Sequence, residues 1–148
     1  MNRWLTGIVL LLACVAVNAE SLYMVRSQLS FPEAMSVLQE TIQKHGQVVS
    51  RVQRVDIGLT TFGYQTDKYR VVFYGELDDI REVANQYPEL VAYLPLKIAI
   101  FAEGDETLLL ASSFEHLRDI YPSATMQSRF DRWEENVRSI LEEVRVSE

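Results

Sequence analysis

The chain carries one cysteine, Cys14, and two histidines, His45 and His116. A single thiol can close no disulfide within the chain, and it cannot form a Cys-x-x-Cys metal site. Neither His-x-x-x-His nor any other short metal-ligand spacing is present, so the expectation is no metal and no cofactor. The six glycines are scattered, which leaves no phosphate-cradling loop, and no GxSxG nucleophile turn occurs. Positive charge is also scarce. Lys and Arg number 14 against 21 Asp and Glu, a net charge of −7. Binding to a phosphate backbone runs on Lys and Arg displacing counterions, so this balance argues against nucleic acid as a partner. No apolar run reaches the roughly 20 residues that a bilayer-spanning helix needs.

What is present begins at the N-terminus. Arg3 followed by the uncharged apolar stretch Leu5 to Val17 has the layout of a bacterial export signal. Two processing readings compete. "LLAC" (Leu11 to Cys14) resembles a lipobox, which would end the leader at residue 13 and make Cys14 a lipidation site; "VNA" (Val17 to Ala19) offers a general cut before Glu20. Apolar sequence continues through Val15, Ala16 and Val17, so a cut at Cys14 would fall inside the hydrophobic segment, and cleavage after Ala19 is favoured. A periplasmic or secreted protein is expected, with a membrane-anchored lipoprotein as the alternative. Membrane contact is then expected only through the leader or a lipid. Cleavage after Ala19 removes Arg3 and no acid, leaving 13 basic against 21 acidic residues and no cysteine. Stability must come from one packed core, and the remaining length suffices for it.

Local patterns then divide residues 20–122 from a terminal helix over 123–148. "LYMVRS" (Leu22 to Ser27) reads as a strand. Ser30 and Glu33 form a capping box with Pro32 in the first turn, and Phe31, Met35, Leu38 and Ile42 follow at helical spacing up to Gly46. From Val48 to Leu59 the β-branched content predicts a strand, with a bulge near Gln53 to reconcile two mixed faces. "KYRVVFYG" (Lys68 to Gly75) is apolar on both faces, as in a strand inside a sheet. Asp78 or Asp79 caps a helix carrying Ile80, Val83, Ala84 and Tyr87 on one side, and Pro88 interrupts it. "LPLKIAIFAEGDETLLLASS" predicts two strands around a turn at Gly104 and Asp105. Met126, Phe130, Trp133, Val137, Ile140 and Val144 are spaced 4, 3, 4, 3, 4 along a polar helix. Consecutive strands around only two internal helices predict an α+β domain, an antiparallel sheet of about five strands with two helices on one face.

These residues carry a family likeness. "SFPEAMSVLQETIQKHG", "YRVVFYG" and "YPELVAYLPLKIAIFAEGDETLLLASSFEHL" together resemble the bacterial domain of unknown function 302 family over about residues 22 to 120. Gly75, the Leu94, Pro95 and Leu96 approach to the hairpin, and Glu103 fall at the family's landmarks. The resemblance implies an α+β fold grouped with TATA-binding-protein-like sheets, often as a homo-oligomer. It implies no established reaction and no catalytic residues, and the fold-level analogy to a DNA binder carries no function against an acidic charge. The chain departs from the pattern at Glu76 and Leu77, where relatives tend to have Asn-Pro, and at Phe114 and Glu115, where Asp-Pro is common. A site built by that first loop in relatives is therefore not carried over.

Candidate chemistry is sparse. His45, beside Gly46, suits a helix C-terminus, where an imidazole complements the dipole. His116 lies in a loop near Ser113, Glu115 and Asp119, the better place for function, although a surface histidine is the simpler reading. Adjacent acids such as Asp78 and Asp79, Glu134 and Glu135, or Glu142 and Glu143 cannot face one another on a helix.

The excess of apolar strand residues says more. With helices on one face of the sheet, alternation leaves the other with Tyr23, Val25, Phe101, Leu109 and one of Phe73 or Tyr74, and so apolar a face is rarely left in water. Three covers are available: the C-terminal helix, a second copy of the chain meeting it through the sheet face or that helix, or a ligand. A pocket edged by Tyr69, Tyr74, Tyr93 and Lys97, with His116 nearby, would take a small apolar molecule. The expected function is an exported envelope module that binds a ligand or an envelope protein. A structural envelope protein is the first alternative. An enzyme of unrecognised type using His116 is the second.

Overall fold

The computed structural model describes residues 22–147; the expected leader, Cys14 and both cut sites lie outside them. The elements run β1 (Leu22–Ser27), α1 (Phe31–Lys44), β2 (Val48–Arg54), α2 (Val55–Thr61), β3 (Tyr69–Gly75), α3 (Leu77–Gln86), a 3-10 helix (Pro88–Tyr93), β4 (Leu96–Glu103), β5 (Glu106–Ser112), α4 (Glu115–Arg118) and α5 (Ala124–Val146). The strands form one antiparallel sheet in the order β1-β5-β4-β3-β2. The fold is α+β.

Local signals explain most boundaries. The capping box forms, with the Glu33 carboxylate accepting from the Ser30 backbone N–H at 3.1 Å, and α1 ends just before Gly46 at φ 74°. Gly104 at φ 61° opens the two-residue turn between Glu103 and Glu106, where a left-handed first position matches the twist of the flanking strands. Gly75 closes β3 because Ile80 of α3 packs onto it: a Cβ there would lie 2.1 Å from Ile80 Cδ1.

Three local readings fail, the first at α3, where Asp78 and Asp79 lie inside the first turn and Glu76 is the N-cap. The β-branched run from Val48 does not stay extended to Leu59. It turns helical at Val55, where Asp56 in the first turn pairs with Arg54 at 3.1 Å and with Arg70 of β3. Tertiary ion pairing and the fit against β3 override strand propensity there. The bulge sits between Val49 and Arg51 and not at Gln53.

Helices α1, α3 and α5 cover one face of the sheet, while α2 borders the other. The core joins Leu38 and Ile42 of α1, Val72 and Tyr74 of β3, Ile98 and Ile100 of β4, Leu109 of β5, and Phe130, Ile140 and Val144 of α5. All six members of the α5 stripe from Met126 to Val144 are buried within this chain. The helix packs on α1 and β1, so it joins the internal helices and leaves the opposite face of the sheet bare. It is pinned to α3 by the buried Arg129, which meets Asp79 at 2.9 Å and Glu82 at 3.1 Å, and by Trp133 Nε1, which donates to Asp79 at 2.7 Å.

Register corrects the expected membership of the two faces. Tyr23 stands opposite Ala111 and Val25 opposite Leu109, and these residues turn toward the helices, where Arg138 of α5 lies over the Tyr23 ring at 4.3 Å. Tyr23, Val25 and Leu109 are thus covered by helix, while Phe101 and Phe73 are on the bare face with Tyr69, Val71 and Ala99. Alternation gave the period correctly and the phase wrongly for β1 and β5.

Candidate functional site

Because partners in register share a face, the bare side of the sheet collects Tyr69, Val71 and Phe73 from β3, Lys97, Ala99 and Phe101 from β4, Leu110 and Ser112 from β5, and Leu22 and Met24 from β1. A cavity of about 480 Å³ lies on this face, walled by Leu22, Val71, Phe101 and Leu110 and closed at one side by Leu59 of α2 and by Tyr64 and Thr66 of the following loop. The volume falls in the range of about 300–1,000 Å³ usual for small-molecule sites. The Tyr69 and Phe101 rings meet edge to face with centroids 5.8 Å apart, which fixes the floor of the groove. Lys97 is the one charged residue among the described residues that line it, and its side chain makes no ion pair or hydrogen bond with another described residue.

Lys97 also lines a second cavity of about 220 Å³ at the end of the sheet where β4 begins and β5 ends. Its other walls include Tyr93, Ser112, Ser113 and His116. The Tyr93 and His116 rings lie 5.5 Å apart at the mouth, both side chains exposed. Ser113 is buried, and its hydroxyl has no hydrogen-bond partner among the described residues. Leaving a buried hydroxyl unpaired costs about 1–3 kcal/mol, so this one marks the pocket as unusual.

The segment that carries Ser113 and His116 is held by α5, and His116 lies in the short helix α4 rather than in the expected loop. Glu134 accepts from the Phe114 backbone N–H at 2.9 Å and from Arg118 at 2.9 Å, while the Gln127 amide donates to the carbonyls of Arg118 and Tyr121 at 2.9 and 3.0 Å. Burial works against the Arg118 charge, but the hydrogen bond and charge of Glu134, with those of Asp131, outweigh it and hold its pKa above the usual value. Glu115 pairs with Arg118 at 3.3 Å instead of turning to His116. Among the described residues no acid forms a dyad with His116, and no group of three metal-ligating side chains converges.

The structure therefore brings together Tyr93, Lys97 and His116 at one end, and Tyr69 and Lys97 in the groove. Tyr74 joins neither. It is 1% exposed beneath the helices, and burial pushes its hydroxyl pKa up. His45 bridges to α5, its Nε2 2.6 Å from Glu143 and its Nδ1 3.2 Å from the Asn136 amide, so it joins helices as well as ending one. Leu59, Tyr64, Val71 and Leu110 are absent from the expected site, and Ser113 is expected only as a neighbour of His116. The alternation of β3, apolar at Tyr69, Val71 and Phe73 as well as at Val72 and Tyr74, was the available signal for the groove.

Comparison with known proteins agrees with this architecture. A sequence profile of the family described as Domain of unknown function DUF302 matches residues 23–144. The chain belongs to this family. A crystal structure described as that of an uncharacterized conserved DUF302 protein from Bacillus stearothermophilus is similar in fold, with a TM-score of 0.74 at 17% identity, over 86% of this chain and 100% of that one. The DUF302 match extends through most of α5, so the terminal helix belongs with the sheet as one unit. No curated protein matches the chain.

Proposed function

We propose that this chain is an exported binding module that takes a small apolar molecule on the bare face of its sheet. The observation that carries the reading is the apolar groove of about 480 Å³, which the helical layer leaves uncovered. Its walls are aliphatic and aromatic with few polar groups, the composition usual for ligand sites. Strands β3, β4 and β5 hold Val71, Ala99, Phe101 and Leu110, while the loop with Tyr64 forms the rim. Arg3 and the apolar run after it support export, with maturation at Ala19 or at Cys14.

The test uses N-phenyl-1-naphthylamine, a neutral apolar probe whose fluorescence rises out of water. Saturable binding to the purified protein is expected, and Ala99→Trp, which fills the groove from a half-buried position, abolishes it while the melting temperature holds. Absence of saturable binding, or equal binding by Ala99→Trp, overturns the reading. A second reading has its own support: Leu22 and Met24 continue the apolar face onto the edge strand β1, 51% and 56% exposed, where a second copy could pair. A concentration-dependent dimer dispersed by Met24→Lys would favour it.

A further inference from the structure

We propose that the end pocket is a carboxylate site, so that the ligand of this protein is a monoanionic amphiphile with its acid group at Lys97 and Ser113 and its chain along the groove. The inference deepens the binding role proposed above and rests on it for the chain, but not for the head.

Three observations converge. The two cavities share Lys97 and Ser112 as walls, so a molecule lying in the groove reaches the end pocket without crossing the sheet. The smaller cavity, about 220 Å³, is below the size of a whole ligand site and suits a head group. Its donors are unspent: the Lys97 ammonium has no counter-ion among the described residues, and the Ser113 hydroxyl, 3% exposed, has no acceptor. Nearby acids do not compete, because Glu115 and Glu134 are both paired with Arg118. One cation beside one neutral hydroxyl fits a carboxylate, which accepts at both oxygens, with charge assistance from the ammonium. The Tyr93 and His116 rings flank the mouth and narrow access to it.

Three probes separate head from chain. Decan-1-ol carries the chain alone, butyrate the head alone, and decanoate both. Calorimetric titration is expected to show decanoate binding about tenfold more tightly than decan-1-ol, the size of one charge-assisted contact. Lys97→Met removes the difference, so that decanoate and decan-1-ol bind that variant with equal affinity. Ser113→Ala weakens decanoate several-fold and raises the melting temperature, because an unpaired buried hydroxyl is removed. A residue with only a packing role would give neither sign. Butyrate at high concentration shifts the Ser113 amide resonance in the wild type and not in Lys97→Met. Failure of decan-1-ol alone counts against the groove. Equal affinity for decanoate and decan-1-ol together with no butyrate response overturns the carboxylate site, whatever decan-1-ol does.

Discussion

Neighbouring residues of β4 meet opposite surroundings. Ile98 and Ile100 are fully buried under α1 and α5, whereas Ala99 and Phe101 are half-buried on the other side and Lys97 is exposed. Both rows are largely apolar, yet only one has a helical layer. The covered face holds the fold together through a shared core that reaches from Ala34 to Val144. The bare face, with comparable side chains, contributes less to stability and retains surface for a ligand. Hydrophobic pattern alone does not say which use a face serves; the covering elements do.

The largest test of that contrast is a pair of phenylalanines. Phe130, fully buried between Phe114 and Trp133 at 5.9 Å from each, should cost about 3–5 kcal/mol when changed to Ala. Phe101→Ala on the bare face should cost no more than about 1–2 kcal/mol, since its side chain is only partly buried. Urea denaturation measures both, and equal losses would erase the difference between the faces. Next comes the clamp between α3 and α5. Asp79→Ala removes the partner of Trp133 Nε1 and one of the two acids on the buried Arg129, with an expected loss of about 3 kcal/mol by the same measurement. A loss near zero would mean that the clamp does not hold the helical layer.

Smaller effects sharpen the picture. Gly75→Ala forces Ile80 to move from a position 2.1 Å from the new Cβ, and because that contact is the tip of a flexible side chain the expected cost is about 1–2 kcal/mol. Acid should weaken the fold gradually. Hydrogen bonds from Ser30 hold the Glu33 pKa low, Arg54 and then Arg70 do so for Asp56, Gln28 and Arg26 for Glu106, and Arg145 for Glu142. Each folded pKa is below its unfolded value, so the stabilisation is complete above the ordinary carboxylate range of about 4 and is lost as pH falls through the lower folded values. The urea midpoint should fall on acidification through this window, with added salt reducing the change, and a midpoint that rises there would contradict these pairings.

Much of the fold was legible before the structure. Ser30, Glu33 and Gly46 marked α1, Gly104 and Asp105 marked the hairpin, and the spacing from Met126 to Val144 marked α5, because each signal is local and stereochemically specific. The helix at Val55–Thr61 was not legible: Val55 and Ile57 favour a strand, and the Asp56 pairing with Arg70 that opposes them joins residues 14 apart. The phase of β5 was hidden for a different reason. Leu108, Leu109 and Leu110 are identical side chains in a row, and only the register with β1 and β4 shows that Leu109 faces the helices. Tyr69, Tyr93, Lys97 and His116 could be named from sequence as polar groups near an apolar face, but Ser113 only as a neighbour of His116, since its distinction lies in being buried without a partner.

The central claim is that the bare face binds and the covered face only supports. Amide resonance shifts on titration with N-phenyl-1-naphthylamine test it most directly. The account predicts shifts that concentrate at Val71, Ala99, Phe101 and Leu110 and spare α1 and the middle of α5. Shifts confined to the helical layer, or none at saturating probe, would contradict it.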